Sequence, residues 1–255
     1  MNDLWDRAAF PVAHAPFDHV CSDDFLPPDL FAELASTFPE CPAASGPTGF
    51  TIHAGDPEFD ELMRSNAAWR AFQETCDSQA FVDFVLRQFA DRFATAATTD
   101  LTRARHVRYV ESRADKERRH LAHPMHPADA LWTRFDLMQG RVGYKRAKHL
   151  DHRRRAATML IYFTDAAASD TVGGDLVLHD ADGGASTVVT PRANRLVMFP
   201  CCNASWHSVS TIVRQGRPRN FLQVTLSSSL DLWPPLPQGL GARLRAGLKA
   251  LAPGG

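Results

Sequence analysis

His149-Leu150-Asp151 sets an imidazole and a carboxylate two residues apart at the end of a strand-like run. Alternation along a strand turns residues i and i+2 to the same face, so both side chains could reach one ion. His207 opens a later run, Trp206-His-Ser-Val209, and could supply a second imidazole from across a barrel. Two histidines and one carboxylate on one side of a ferrous ion leave the opposite positions open for small molecules. A three-residue HxD pattern arises often by chance, so its context decides its weight. Here Arg217 and Arg219 follow His207 and lead into another strand-like run. A guanidinium within reach of such an ion would form a bidentate pair with a carboxylate.

The elements that must position these residues divide the chain into a helical first half and a strand-rich second half. Pro27-Pro28 precedes residues 29–38, where Leu30, Phe31, Leu34 and Phe38 recur at helical spacing. Residues 39–50, rich in proline and glycine, read as loop. Asp56-Pro57 opens a second helix with Phe59, Leu62 and Met63 on one face. Residues 69–93 read as one helix whose aromatic positions, Phe72, Phe81, Phe84, Phe89 and Phe93, are core rather than a cofactor box.

From Leu131 onward, short β-branched and aromatic runs alternate with turn residues. The expected strands cover 133–138, 144–150, 157–164, 174–179, 185–190, 194–199, 206–213 and 219–226. That succession predicts an α+β fold: a double-stranded β-helix, or jelly roll, with N-terminal helices packed on one sheet. The division expected is one domain over 1–255, with helical support and loops over 1–130, a jelly-roll core over 131–229 and a C-terminal extension over 230–255.

Length and composition suit an ordinary globular protein. The chain has 255 residues, 44% of them hydrophobic, and a net charge of -1, so no global basic field draws in nucleic acid. Its five cysteines form no CxxC pair, which disfavours a disulfide framework or a thiolate zinc site. The first residues lack the basic and apolar regions of a signal peptide, and no run is long enough to span a bilayer. A cytoplasmic protein with a small-molecule substrate and no nucleic-acid or membrane partner is expected.

The stretch from Leu131 to Ser229 resembles the Fe(II)/2-oxoglutarate-dependent dioxygenase superfamily, in particular its prolyl-4-hydroxylase-like branch. The resemblance rests on five ordered elements: His149-x-Asp151, Gly173-Gly-Asp-Leu-Val-Leu178, Arg195-Leu-Val-Met-Phe199, His207-Ser-Val209 and Gly216-Arg-Pro-Arg219. It implies iron(II) held by His149, Asp151 and His207, with 2-oxoglutarate and O2 as co-substrates. It also implies an arginine on the distal carboxylate of 2-oxoglutarate. Arg219 directly precedes the apolar strand, as that arginine usually does, while Arg217 better matches the usual spacing from the histidine. Tyr162 is a candidate hydrogen-bond donor to the co-substrate, and a plain core tyrosine is the competing reading. Related halogenases replace the carboxylate ligand by glycine or alanine, so Asp151 implies hydroxylation or another oxidative outcome, not halogenation.

His120, His123 and His126 could suggest a second metal site, but Pro124 and Pro127 break any helix that would align them, which favours a loop over the substrate. Arg146, Lys148, His152, Arg153, Arg154 and Arg155 crowd around the HxD. They form either a solvated rim or, for Arg153 and Arg154 in particular, a site that attracts an anionic substrate group. Cys201 and Cys202 are expected near the cavity as packing thiols. The basic tail with Arg243, Arg245 and Lys249 is expected to be a terminal helix. The function expected is hydroxylation of an unactivated C–H in a free amino acid or other small metabolite. A peptidyl hydroxylase and an inactive jelly-roll binding module are the alternatives.

Overall fold

The computed structural model describes residues 4–7, 9–40, 46–110, 126–181, 184 and 186–236. The second half forms the eight expected strands as β4 (Ala130–Gly140), β5 (Arg146–His149), β6 (Arg155–Tyr162), β7 (Leu176–His179), β8 (Ser186–Val189), β9 (Leu196–Pro200), β10 (Trp206–Val209) and β11 (Arg219–Ser228). The first half adds β1 (Val20–Ser22), β2 (Gly49–His53) and β3 (Arg105–His106). A seven-stranded sheet runs β1-β9-β6-β11-β4-β2, with β3 beside β4, and a four-stranded sheet runs β5-β10-β7-β8. Every pairing except β3 with β4 is antiparallel.

Strand alternation divides the side chains of the large sheet between two apolar clusters. Phe135 and Leu137 of β4, Met159 and Ile161 of β6, Met198 of β9, and Leu222 and Val224 of β11 join the helices in one core. Met138, Leu160, Tyr162, Val197, Phe199 and Phe221 point the other way and meet Leu176, Leu178 and Val189 of the small sheet. The two sheets therefore face each other as a jelly roll, and the helices cover the outer face of one.

Those helices are α1 (Pro28–Ser36), α2 (Pro57–Ser65), α3 (Ala67–Cys76), α4 (Gln79–Gln88) and α5 (Ala90–Ala96). The stretch 69–93 is thus three helices where the spacing predicts one. Ser78 stops the run: its backbone is extended, and its hydroxyl accepts from Phe81 N–H, capping α4. Asn66 caps α3 in the same way through Trp69 N–H. Turning the chain there lets Trp69, Phe72, Phe81 and Phe84 all reach one core, which a straight helix could not do.

The loop expected over 39–50 ends in β2, whose Phe50 and Ile52 are buried against β4. With β1 on the opposite edge of the same sheet, the N-terminal half completes the jelly roll as well as supporting it. His120, His123, Arg243, Arg245 and Lys249 lie outside the described residues. Among the described residues, no helix is long and apolar enough to cross a membrane.

Candidate metal centre

His149 and His207 sit directly opposite each other in the β5–β10 pairing. Their rings are 4.3 Å apart, centroid to centroid. Each ring is oriented by a backbone carbonyl two residues earlier: His149 Nδ1 lies 2.7 Å from Ala147 O, and His207 Nδ1 lies 2.9 Å from Ser205 O. A carbonyl can only accept, so both Nδ1 atoms carry the proton and both Nε2 lone pairs remain for a ligand. Burial lowers the pKa of His207 against the pull of Asp151, which favours the neutral imidazole that a metal requires.

Asp151 reaches the same point by a different route from the one alternation suggests. β5 ends at His149, and Asp151 stands in the loop beyond it. Its carboxylate is held by β6 instead: Arg155 Nη1 donates at 2.7 Å and the Thr158 hydroxyl at 2.7 Å. Burial alone would raise this carboxyl, but Arg155, His207, Thr158 and His149 bring it down to about 2. The buried Cys201 thiol stands behind it, 3.5 Å from Oδ2. Burial raises Cys201 well above the usual thiol range, which suits the packing role expected of it. One ligand atom from each of His149, Asp151 and His207 falls within 4.8 Å of the others, a grouping that could hold a metal ion.

The three residues line a cavity of about 460 Å³ between the sheets. Arg219, at the start of β11, lines it too and is only 2% exposed. Its guanidinium lies 4.3 Å from the Phe221 ring, and its Nη2 donates to the Tyr162 hydroxyl at 3.2 Å. Among the described residues, Arg219 Nε and Nη1 are buried with no hydrogen-bond partner. Two unpartnered donors of a buried cation are costly unless a ligand completes them. A carboxylate, accepting in the plane of the guanidinium, is the group that fits. Gly174 makes room: a Cβ there would come 2.9 Å from Ile212 and 3.3 Å from Arg219 Cδ, and its φ of +79° is itself a glycine conformation.

The remaining expected site residues are placed elsewhere. Arg217 lies exposed in the bend before β11, outside the cavity lining. Tyr162 is fully buried and touches the site through Arg219. Arg153 and Arg154 are not brought to the cavity. Arg153 donates to Trp233 O at 2.7 Å, and both arginines turn to Asp231. The loop after His149 carries them past the cavity toward the segment that follows β11. Of the basic group around the HxD, Arg146 and Arg155 are the two that line the cavity. His126 packs against Tyr109 and Trp132, away from the triad.

Sequence reasoning passed over the polar residues of the large sheet's inner face: Arg134 and Asp136 on β4, Gln223 on β11, and Thr51 and His53 on β2. The signal was present in Thr-Arg-Phe-Asp-Leu-Met, where arginine and aspartate alternate with Phe135 and Leu137, marking one face as polar.

Residues 134–224 match the family model described as the 2OG-Fe(II) oxygenase superfamily. No curated protein matches the chain. Among solved structures, a Pseudomonas putida prolyl-4-hydroxylase is 18% identical, with 82% of this chain and 92% of that one covered at a TM-score of 0.43. A Burkholderia pseudomallei oxidoreductase of the 2OG-Fe(II) oxygenase family is 16% identical, with coverage of 84% and 86% and a TM-score of 0.47. A Trichoplax adhaerens prolyl hydroxylase, solved with a hypoxia inducible factor peptide fragment, is 13% identical, with coverage of 82% and 83% and a TM-score of 0.45. Members of the matched family use iron(II), 2-oxoglutarate and O2. The matched segment contains His149, Asp151, His207 and Arg219, and over that segment the chain is similar to the 2OG-Fe(II) oxygenase superfamily.

Proposed function

We propose that this chain is an oxygenase that hydroxylates an unactivated C–H bond of a small metabolite, with free amino acids the foremost class. In this reading His149, Asp151 and His207 hold the iron, and Arg219 anchors the distal carboxylate of 2-oxoglutarate. The observation that carries it is Arg219: a buried cation with two unpartnered donors, in the same cavity as the His-Asp-His group. Arg217, being exposed, is left to solvent.

Bound iron, with 2-oxoglutarate and O2, supplies the oxidation of the C–H bond. The chain's own contribution is positional. The carbonyls of Ala147 and Ser205 fix the histidine tautomers, so no proton must leave either Nε2 before it binds. Arg155 and Thr158 keep Asp151 ionised and aimed. Tyr162 holds the Arg219 guanidinium from behind, a positioning role. Leu160, Leu176, Phe199 and Phe221 give the cavity an apolar wall that limits water around the reacting atoms. Asp151 also fills the ligand position that a halogenase leaves open, which supports hydroxylation as the outcome. Because β1 and β2 complete the same sheet, the chain works in this reading as a single oxygenase domain.

A peptidyl substrate is the second reading. It is favoured by an adjoining cavity of about 190 Å³ that shares His53 and Arg134 with the first and would lengthen the site into a groove.

Anaerobic reconstitution with iron(II) and 2-oxoglutarate tests the reading through the weak visible charge-transfer band of the chelate. The wild type should form the band and His149→Ala should not. A wild type that binds iron but gives no band with 2-oxoglutarate would overturn it.

A further inference from the structure

We infer that Arg146 holds the carboxylate of a small-molecule substrate, at the mouth of the cavity and beside the metal position. The inference rests on the oxygenase reading and names the group by which that substrate is recognised.

The charges of the cavity wall do not balance. Arg134, Arg146, Arg155 and Arg219 line it against two acids, Asp136 and Asp151. Arg134 is paired with Asp136 at 2.8 Å, and Arg155 with Asp151 at 2.7 Å. Among the described residues, no acid pairs with Arg146 or Arg219. Arg219 is buried, and the oxygenase reading gives it the distal carboxylate of 2-oxoglutarate. In that reading the other carboxylate of the co-substrate belongs to the iron chelate, so Arg146 is left over. It is also the exposed one of the two, placed where a substrate arrives.

Arg146 opens β5, three residues before His149, and stands opposite Val209 in the β5–β10 register. Tyr144, two residues earlier, lines the same cavity, and its ring lies 5.9 Å from the Arg219 guanidinium. The small-sheet wall therefore runs from the Arg219 end through Tyr144 and Arg146 to His149. Three residues of strand span about 10 Å, a distance that an arginine side chain and a small acid can share. A carboxylate on Arg146 thus leaves the reacting carbon only a few bonds away.

The inward turn is particular to this residue. Lys145 and Lys148 are exposed too, yet neither lines the cavity. Lys148 instead donates to Asp180 O at 3.3 Å and lies 5.5 Å from the Trp206 ring. Stability does not account for Arg146, because an exposed cation without an ion pair adds little to folding. One guanidinium answers the single charge of a carboxylate and matches its two oxygens. A phosphate monoester carries about 1.5 to 2 negative charges at pH 7 and would be only partly answered.

The test is a panel of free L-amino acids, their carboxamides, phosphate monoesters and a C-terminally amidated peptide. Each is added to protein loaded anaerobically with iron(II) and 2-oxoglutarate, with binding read by thermal shift. Ligand-stimulated succinate release in air is the second readout. At least one free acid should bind at least tenfold more tightly than its carboxamide. Arg146→Gln should remove that difference, and Arg146→Lys, which keeps the charge, should retain part of it. Arg146→Glu should reverse it. In all three variants the ligand-free melting temperature, and the 2-oxoglutarate affinity read from the band, should stay close to wild type. Equal binding of acids and amides by the wild type would overturn the inference, as would no response to any free acid. A preference for phosphate monoesters or for the amidated peptide would do the same. So would an acid–amide difference that survives in Arg146→Gln. A loss of 2-oxoglutarate affinity as large as the loss of acid binding would also overturn it, by assigning Arg146 to the co-substrate. The wild-type comparison needs no substitution, so it stands even where a variant fails to fold. Thermal shift needs no turnover, so a missing band counts against the oxygenase reading, while the acid–amide comparison judges Arg146.

Discussion

The two faces of the large sheet are made from the same strands, yet they follow opposite rules. On β11, Leu222, Val224 and Leu226 face the helices, while Arg219, Phe221 and Gln223 face the cavity. On β4, Phe135 and Leu137 face outward, while Arg134, Asp136 and Met138 face inward. The outer face carries apolar burial that the fold requires. The inner face carries charges: the Arg134–Asp136 ion pair and, among the described residues, an Arg219 cation whose Nε and Nη1 lack a hydrogen-bond partner. Fold and chemistry are thus separated by a single residue of strand parity.

Substitutions on either face should break that contrast in opposite ways. The largest functional effect is expected from His207→Ala, with loss of iron binding and of 2-oxoglutarate turnover but a melting temperature close to wild type. Metal content after anaerobic loading, alongside a thermal melt, checks this. A variant that kept its iron would remove His207 from the centre. Leu222→Ala, on the outer face, should do the reverse. Truncating a fully buried leucine costs about 2–5 kcal/mol, while the folded fraction should still form the charge-transfer band. Chemical denaturation measures the first quantity, and the band normalised to folded protein measures the second. Arg219→Met should weaken 2-oxoglutarate binding at least tenfold with iron binding intact and no loss of stability, since it removes a buried cation with unpartnered donors. Titration of the band with 2-oxoglutarate reads this effect. An unchanged affinity would move the anchor elsewhere.

Legibility in the sequence followed the same division. The eight strands of the second half were readable because turn residues separate them and apolar residues fill their cores. β2 was hidden because its Gly-Phe-Thr-Ile-His follows a proline-rich stretch and holds the sheet as an edge strand of β4. The break at Ser78 was hidden because aromatic spacing continues across it, and only the capping hydroxyl betrays the turn. In the site, His149, Asp151 and His207 could be named, but the reason Asp151 points inward could not. Its aim depends on Arg155 and Thr158 of the next strand, a tertiary fact rather than alternation. The basic run around the HxD was the hardest to read. Charge alone does not say which side chain a loop will turn inward, and Arg155 lines the cavity while its neighbours Arg153 and Arg154 do not.

A smaller effect tests a charged tether at the edge of the large sheet. Asp23, just after β1, receives Arg195 Nε at 2.6 Å and Arg192 Nη1 at 2.7 Å. The hydrogen bond from Arg195 leads in lowering its pKa, burial opposes it, and both arginines add to the lowering. A folded-state pKa below the unfolded one means the stabilisation is present above the unfolded value, about 3.9, and is lost as pH falls through the folded value. Asp23→Asn should therefore be less stable than wild type at pH 7, by at most about 1 kcal/mol. That gap should close as pH falls below about 4. Paired denaturation curves across that range decide it, and a gap that persisted in acid would mean the tether is not ionic.

The smallest effect on catalysis is expected where the sequence suggested a substrate contact. Arg153 and Arg154 share Asp231, which is 39% exposed, and pairs of this kind contribute about 0–1 kcal/mol. The segment they hold is anchored by stronger means as well. Leu232 N–H donates to Arg153 O, Trp233 Nε1 donates to Arg155 O, and the buried Trp233 ring stacks on Phe93. Replacing both arginines by glutamine should leave the Michaelis constants for substrate and 2-oxoglutarate unchanged and lower stability only slightly. Arg146→Gln, on the cavity wall, should instead weaken the response to carboxylate-bearing substrates. If the double variant raised the substrate Michaelis constant as much as Arg146→Gln does, the substrate would have to approach along the 151–155 loop. In that case the β5 wall would not be its principal contact.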